Sequence, residues 1–226
     1  AIAGGGSVIF VLVLLLCLPV QAASQPGDVD ETIHVIQRKP VLQKQRFELN
    51  AQFGTRLNDP LYRHFRLAGH LNYHLTEAFY IGAFGDVMNF GATAGGPNHA
   101  FRETQEETNA VPDSALINWV GGMELGYTFA AGKYVLFNEA INYYDWSVSA
   151  GGVYLDSESI LVPENRRTPV GTVALTGRIF FSDAIAMNIE VRDYIFKARL
   201  KNTTTDPLTN AIYGGIGLSL YLPTTF

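Results

Sequence analysis

Cysteine is almost missing from this chain: among 226 residues only Cys17 occurs. It stands inside an uncharged amino-terminal run, so the remainder cannot be held by disulfides. That fits an exported bacterial protein stabilised by other means. Three leucines precede Cys17 where a lipidation signal wants a small residue, which argues against a lipid anchor there. Basic clusters are absent too. Lys and Arg together number 16 against 21 acids, for a formal charge of −5, and no run or stripe of them offers a surface to a phosphate backbone, so nucleic acid is excluded as partner. Nor is any apolar run long enough for a membrane helix. The longest, Val8 to Val20, holds about 13 apolar residues and meets Pro19, whereas a spanning helix needs roughly 20. It fits the core of a secretory signal over residues 1–22, with Val20, Gln21 and Ala22 as the small-residue cleavage site. With no basic residue and no Met before it, the sequence reads as starting within that signal. Residues 23–44 mix Pro, Gly and charge and read as a periplasmic lead-in; residues 45–226 form the folded body.

What the chain does have is 22 glycines, 11 tyrosines and 14 phenylalanines, arranged in short segments that alternate apolar and polar. The clearest segment is the last, Ile212 to Phe226. Ile212, Ile216, Leu218, Leu220 and Leu222 share one face, with Tyr213, Gly215, Gly217, Ser219 and Tyr221 on the other. A helix would scatter these leucines around its circumference, so the period of two marks a strand. Seven earlier segments repeat the pattern. The first runs from Arg46 to Leu57 and the second from about Phe65 to Leu75. The third spans Phe79 to Phe90, the fourth Asn118 to Phe129 and the fifth Asn142 to Leu155. The sixth carries Val173, Leu175, Ile179 and Phe181; the seventh carries Met187, Ile189 and Val191. In the seventh the apolar phase slips to Tyr194, Phe196 and Ala198, which predicts a β-bulge at Arg192 and Asp193. Residues Ala130 to Ala140 read as a connection with a short helical turn.

Eight strands imply an all-β, antiparallel up-and-down barrel, and two patterns place it in a membrane. With the first strand rising from the periplasm, the long polar segments Gly91 to Ser114, Asp156 to Thr168 and Lys201 to Asn210 all fall on the outer side, as in outer-membrane barrels. The second pattern is the polar face, which collects Arg46, Glu48, Arg56, Arg66, Asp86, Glu124, Asp145, Arg178, Glu190 and Arg192: five acids, five arginines and no lysine. An eight-stranded interior is just wide enough for side chains to fill, so charges there must pair, and the forked guanidinium suits several carboxylates at once. A soluble barrel would need its apolar face inside. The rims should carry aromatic girdles, with Phe129, Phe181 and Phe226 on the periplasmic side and Trp119, Tyr154 and Tyr194 on the outer side.

Several segments resemble the outer-membrane β-barrel domain family common in myxobacteria and related deltaproteobacteria. They are Val35 to Leu49, Leu57-Asn-Asp-Pro60, Leu71-Asn-Tyr-His-Leu-Thr-Glu77, Gly132-Lys-Tyr-Val-Leu-Phe137 and Ile189-Glu-Val-Arg-Asp-Tyr194. The resemblance covers most of the chain after the signal. It implies an outer-membrane barrel without a catalytic set to carry over, and it admits docking to a surface complex. The terminal Phe226 resembles the signal read by the barrel-assembly machinery.

Catalytic chemistry finds little support. His70 and His74 share a face, but four residues of strand set them roughly 13 Å apart, too far to hold one metal; they read as interior hydrogen-bonding residues. Asp145, Ser147 and Ser149 could join these histidines in a hydrolytic set, yet no nucleophile-elbow or metal motif accompanies them. The Asn202-Thr-Thr204 sequon reads as chance in a bacterial protein. Glu103, Glu106 and Glu107 read as a solvated loop that divalent ions could bridge to lipopolysaccharide. The expectation is a non-enzymatic barrel without cofactor or metal, a structural or interaction protein. Its partners would be outer-membrane lipid, lipopolysaccharide, the barrel-assembly machinery and surface-complex proteins. The alternative is an outer-membrane lipid-modifying enzyme or a narrow pore.

Overall fold

The computed structural model describes residues 41–59, 61–88, 95–108, 115–136, 140–159, 166–197 and 208–223. Residues 1–22, expected to be a secretory signal, most of the expected lead-in and Phe226 lie outside them. Eight long strands close a ring: β1 (Phe47–Arg56), β2 (Tyr62–His74), β3 (Phe79–Met88), β5 (Ala115–Leu136), β6 (Ala140–Ser159), β7 (Arg166–Phe180), β8 (Ile185–Lys197) and β9 (Leu208–Leu222). A short β4 (Gly95–Pro97) pairs with the outer end of β2, and a helix α1 (His99–Thr108) follows it. Every pairing is antiparallel, and β1 bonds both β2 and β9, so the ring of eight long strands is closed.

Closure fixes the tilt. From Phe47, bonded partners run through Tyr73, Ile81, Leu125, Ala150, Val173, Asp193 and Ile212. The circuit returns to Leu57, ten residues farther along the chain, whose N–H donates to the Ile212 carbonyl at 2.7 Å. A stagger of that size over eight strands tilts them by about 40°. Rows of bonded partners therefore climb toward the outer end in the order β1, β2, β3, β5.

The period of two then sorts the side chains. Phe53, Leu67, Leu71, Val87, Met123, Leu125, Val173, Ile189, Ile216 and Leu218 are exposed on the outer wall, while Glu48, His70, Asp86, Glu124, Asp145, Arg178, Glu190 and Arg192 are buried within. Apolar outside and ionic inside is the arrangement of a barrel solvated by acyl chains. Phe47 and Tyr73 (ring centroids 4.8 Å apart) and Phe79 and Tyr127 (4.9 Å), with Phe129 and Phe181 also exposed, face outward near the periplasmic ends of their strands. Trp119 and Tyr154 are exposed near the outer ends.

Several local expectations are corrected. There is no bulge at Arg192 and Asp193: β8 pairs without a break with β7 and β9. Glu190, Arg192, Tyr194 and Phe196 all point inward, so Tyr194 is fully buried and is no girdle residue, while Asp193 turns to the wall. The register shifts lie instead in β5, between Ile117 and Trp119 and between Thr128 and Ala130. The second shift also accounts for residues 130–136, which extend β5 against β6 where a helical turn was expected; pairing continues to Leu136 and Ala140. Likewise Asp156 to Ser159 and Arg166 to Thr168 prolong β6 and β7. The polar segment after β3 contains α1, started by Asn98, whose carbonyl accepts the Arg102 N–H at 3.3 Å as the first intrahelical bond and whose Oδ1 accepts the His99 N–H at 2.8 Å.

Candidate functional site

Among the described residues the ionisable side chains concentrate in the lumen, where buried groups follow one another from the periplasmic mouth toward the outer end. At the periplasmic mouth the residues before β1 fold inward. Val41 packs with Phe180, Ala186 and Tyr221, and Gln43 is fully buried. The backbone N–H groups of Gln43 and Lys44 donate to the Glu77 carboxylate at 3.2 and 3.1 Å. Arg46 donates to the carbonyls of Leu42 and Tyr221 at 3.2 and 3.3 Å, and its guanidinium lies over the Tyr221 ring at 5.4 Å.

Above this plug sits a first ionic cell. Arg178 donates to Glu48 (3.2 Å), Asp145 (3.1 Å) and Ser147 (3.1 Å), and lies over the Tyr80 ring at 5.3 Å. Gln43 Nε2 reaches the other Asp145 oxygen at 2.7 Å, tying plug to cell. Glu48 also accepts from Asn72 at 3.2 Å and from Ser219, and meets His74 Nε2 at 3.1 Å. Room for Tyr80 is made by Gly126, since a Cβ there would fall inside the ring.

The second cell is built round Glu190. Arg66 and Arg192 each donate to its Oε1 at 2.9 Å, and Arg192, Gln52 and Thr176 to its Oε2 at 3.1, 3.4 and 3.4 Å. Arg66 also binds Asp86 at 2.7 Å, whose same oxygen accepts the Tyr194 hydroxyl. Arg192 binds Glu124 at 2.8 Å; Ser149 donates to that oxygen at 2.9 Å, and His70 Nδ1 lies 3.6 Å from the other. Phe84 meets both groups, with Arg192 at 4.4 Å and the stacked His70 ring at 5.3 Å from its centroid. In each cell carboxylates outnumber guanidiniums, and one carboxylate of each, Glu48 and Glu124, faces a histidine. Such buried charges hold only when each is paired and hydrogen-bonded.

Toward the outer end the filling turns apolar. Met88, Ile117, Val120, Val153, Leu155, Phe196 and Tyr213 form a packed layer over the second cell. At the outer corner Asp59 collects Arg56 (3.2 Å), His64 (3.1 Å) and the backbone N–H groups of Leu61 and Tyr62. Burial pushes the Asp59 carboxyl up, but the His64 bond, the Arg56 charge and the two N–H groups outweigh it and hold the carboxyl well below its ordinary value.

The predicted charges therefore occupy three places. Glu48, Arg66, Asp86, Glu124, Asp145, Arg178, Glu190 and Arg192 make the two cells; Arg46 lies at the periplasmic plug and Arg56 at the outer corner. Sequence reasoning missed Gln43, placed in the lead-in, and Tyr194, lost to the imagined bulge, although uninterrupted alternation from Glu190 to Phe196 carried the signal. Ser147 and Ser149 bond Arg178 and Glu124, not a histidine.

This wall, strand number, stagger and ionic interior define an outer-membrane β-barrel of the small, eight-stranded class. No protein-family model and no curated protein matches the chain. Among solved structures it is similar to the amino-terminal β-barrel domain of Pseudomonas aeruginosa OprF, at 10% identity and TM-score 0.46 over 79% of this chain and 98% of that one. It is similar also to OprG of the same organism (9%, 0.46, 80% and 97%) and to Ail, the attachment invasion locus protein of Yersinia pestis (10%, 0.41, 79% and 99%).

Proposed function

We propose that this barrel is a non-enzymatic structural or interaction protein of the outer membrane: a sealed cylinder that holds its outer segments in place for a surface partner. The carrying observation is the succession of buried, mutually bonded side chains along the lumen, from Val41 and Gln43 through two ionic cells to the apolar layer at Phe196 and Tyr213. A packed interior suits a scaffold better than a conduit, and serines bonded to Arg178 and Glu124 are held as structural donors. In this reading residues 1–22 are an export signal, residues 23–44 a periplasmic segment, and Phe226 the mark read by the barrel-assembly machinery. Family membership suggested by the myxobacterial resemblance, with docking to a surface complex, belongs to the same proposal. Planar-bilayer recording of the purified barrel tests it. The expected trace is flat at ±100 mV; sustained single-channel openings would establish a pore instead.

A further inference from the structure

Between the two ionic cells the lumen carries amides whose orientation the cells dictate. On β8, Asn188 Nδ2 donates to Ser219 Oγ at 2.6 Å, and the Ser219 hydroxyl proton goes to Glu48. Ser219 can therefore only accept from Asn188, which fixes the NH2 end of that amide and turns its carbonyl away. On β1, Gln52 Nε2 faces the Glu190 carboxylate at 3.4 Å, and that amide is fixed the same way. Anions hold the nitrogens and leave the oxygens. Asn188 Oδ1 and Gln52 Oε1 have no hydrogen-bond partner, nor has Asn50 Oδ1, and the three residues are only 0, 2 and 7% exposed.

Register brings these oxygens to one side of the lumen. Gly217 and Ser219 are successive inward positions of β9; Asn50 is the bonded partner of Ser219, and Gln52 and Asn188 are the partners of Gly217 on either side. Glycine at 217 lets Gln52 cross. A Cβ there would come within 2.6 Å of Gln52 Cγ, and the crossing carries the amide from β1 to Glu190 on β8, the next inward position after Asn188. The three carbonyl oxygens therefore gather over Gly217, with Glu48 on the periplasmic side and Glu190 on the outer side. Charge decides what completes them, since a buried acceptor needs a donor or a cation. The two cells hold five carboxylates (Glu48, Asp145, Asp86, Glu124 and Glu190) against three guanidiniums (Arg178, Arg66 and Arg192), so the surround is negative. Amide oxygens in a negative surround are ligands for a hard cation. A divalent ion wants carboxylates in contact, and among the described residues no three His, Cys, Asp or Glu side chains are grouped to hold a metal. A monovalent ion needs only the carbonyls.

We propose that this layer binds one alkali-metal ion, sodium or potassium, on Asn50 Oδ1, Gln52 Oε1 and Asn188 Oδ1. The ion satisfies three buried acceptors at once and offsets part of the negative excess of the cells on either side. The site needs the ionic interior but not the choice between scaffold and pore, so its test stands apart from the bilayer recording.

Urea unfolding in phospholipid vesicles tests it, with sodium or potassium chloride varied from 1 to 200 mM and choline chloride keeping the ionic strength constant. An ion bound only by the folded barrel multiplies the folded-to-unfolded ratio by 1 + [ion]/Kd. For the wild type the ratio should rise at least tenfold over that range. Asn50→Leu and Asn188→Leu should each cut the rise to less than twofold. In choline alone Asn50→Leu should be no less stable than the wild type, because it deletes an acceptor with nothing to bond; a role in packing alone would not give that pair of results. A wild type indifferent to both alkali ions overturns the site, since water or a protonated group of the lumen then meets the carbonyls and the charge. A rise kept in full by both variants overturns the ligand assignment. Crystals of the wild-type barrel grown with rubidium chloride give a check that needs no variant: an anomalous peak bounded by Asn50, Gln52 and Asn188 supports the site, and its absence overturns it.

Discussion

Replacing Glu190 by Gln is the sharpest test of the ionic interior. The change is nearly isosteric, but it removes the charge shared by Arg66 and Arg192 and sets an amide donor against two donors. Three guanidinium contacts at 2.9, 2.9 and 3.1 Å converge on that carboxylate. The residue is 2% exposed, so water cannot replace the lost charge. Breaking one partner of a buried ionic set costs on the order of 3–5 kcal/mol, about a hundredfold to a few thousandfold in the folding equilibrium. Thr176→Val is the matched control. It deletes only a 3.4 Å contact to the same carboxylate and should cost about 1 kcal/mol. Urea titration in phospholipid vesicles, followed by the fluorescence of Trp119 and Trp146, measures both. A Glu190→Gln midpoint indistinguishable from that of Thr176→Val would refute the claim that this carboxylate anchors the second cell.

Other outcomes follow from the same geometry. Leu218→Arg, on the lipid face opposite Ala51 and Met187, should cost about 2–4 kcal/mol and lower the yield of folded barrel on a heat-modifiability gel; unchanged yield would count against that face meeting lipid. At the outer corner the depressed Asp59 carboxyl makes a stabilising contribution that is complete above the ordinary aspartate range near pH ~4 and is lost as pH falls toward its lower folded value. Protease sensitivity of the Asn58 to His64 segment should therefore stay low at pH 5 and rise below about pH 3. Asp59→Asn should show raised sensitivity already at pH 7, and a sensitivity the same as wild type would argue against the corner's role.

The wall was legible because it obeys one local rule. A strand whose two faces meet different solvents must alternate, and Leu218, Leu220 and Leu222 against Ser219 and Tyr221 show this without knowledge of their neighbours. Interior charges were legible for the same reason: facing inward is a property of phase alone. Partners were not, because Arg178 meets Glu48 across 130 positions and Arg66 meets Glu190 across 124, and the stagger that joins them emerges only on closure. The plug was hidden for another reason. Gln43 sits in a segment with no periodicity, and its position comes from hydrogen bonds to Asp145 and Glu77. The helix α1 was hidden by composition: it is almost wholly polar and is seated by one residue, Phe101, whose ring packs edge-on against Tyr62 at 5.0 Å. The false bulge at Arg192 arose from treating Tyr194 and Phe196 as wall residues because they are aromatic. In a barrel this narrow, aromatic rings also fill the lumen.

Orientation of the two faces is tested most directly by the native tryptophans. Trp119 and Trp146 are the only two in the chain and both stand on the outer wall, 38% and 40% exposed. In vesicles of phospholipid brominated along the acyl chain, their fluorescence should fall to less than half of that in the unbrominated lipid. Equal intensity in the two lipids would mean that this wall does not touch acyl chains, and the membrane-facing assignment would be wrong.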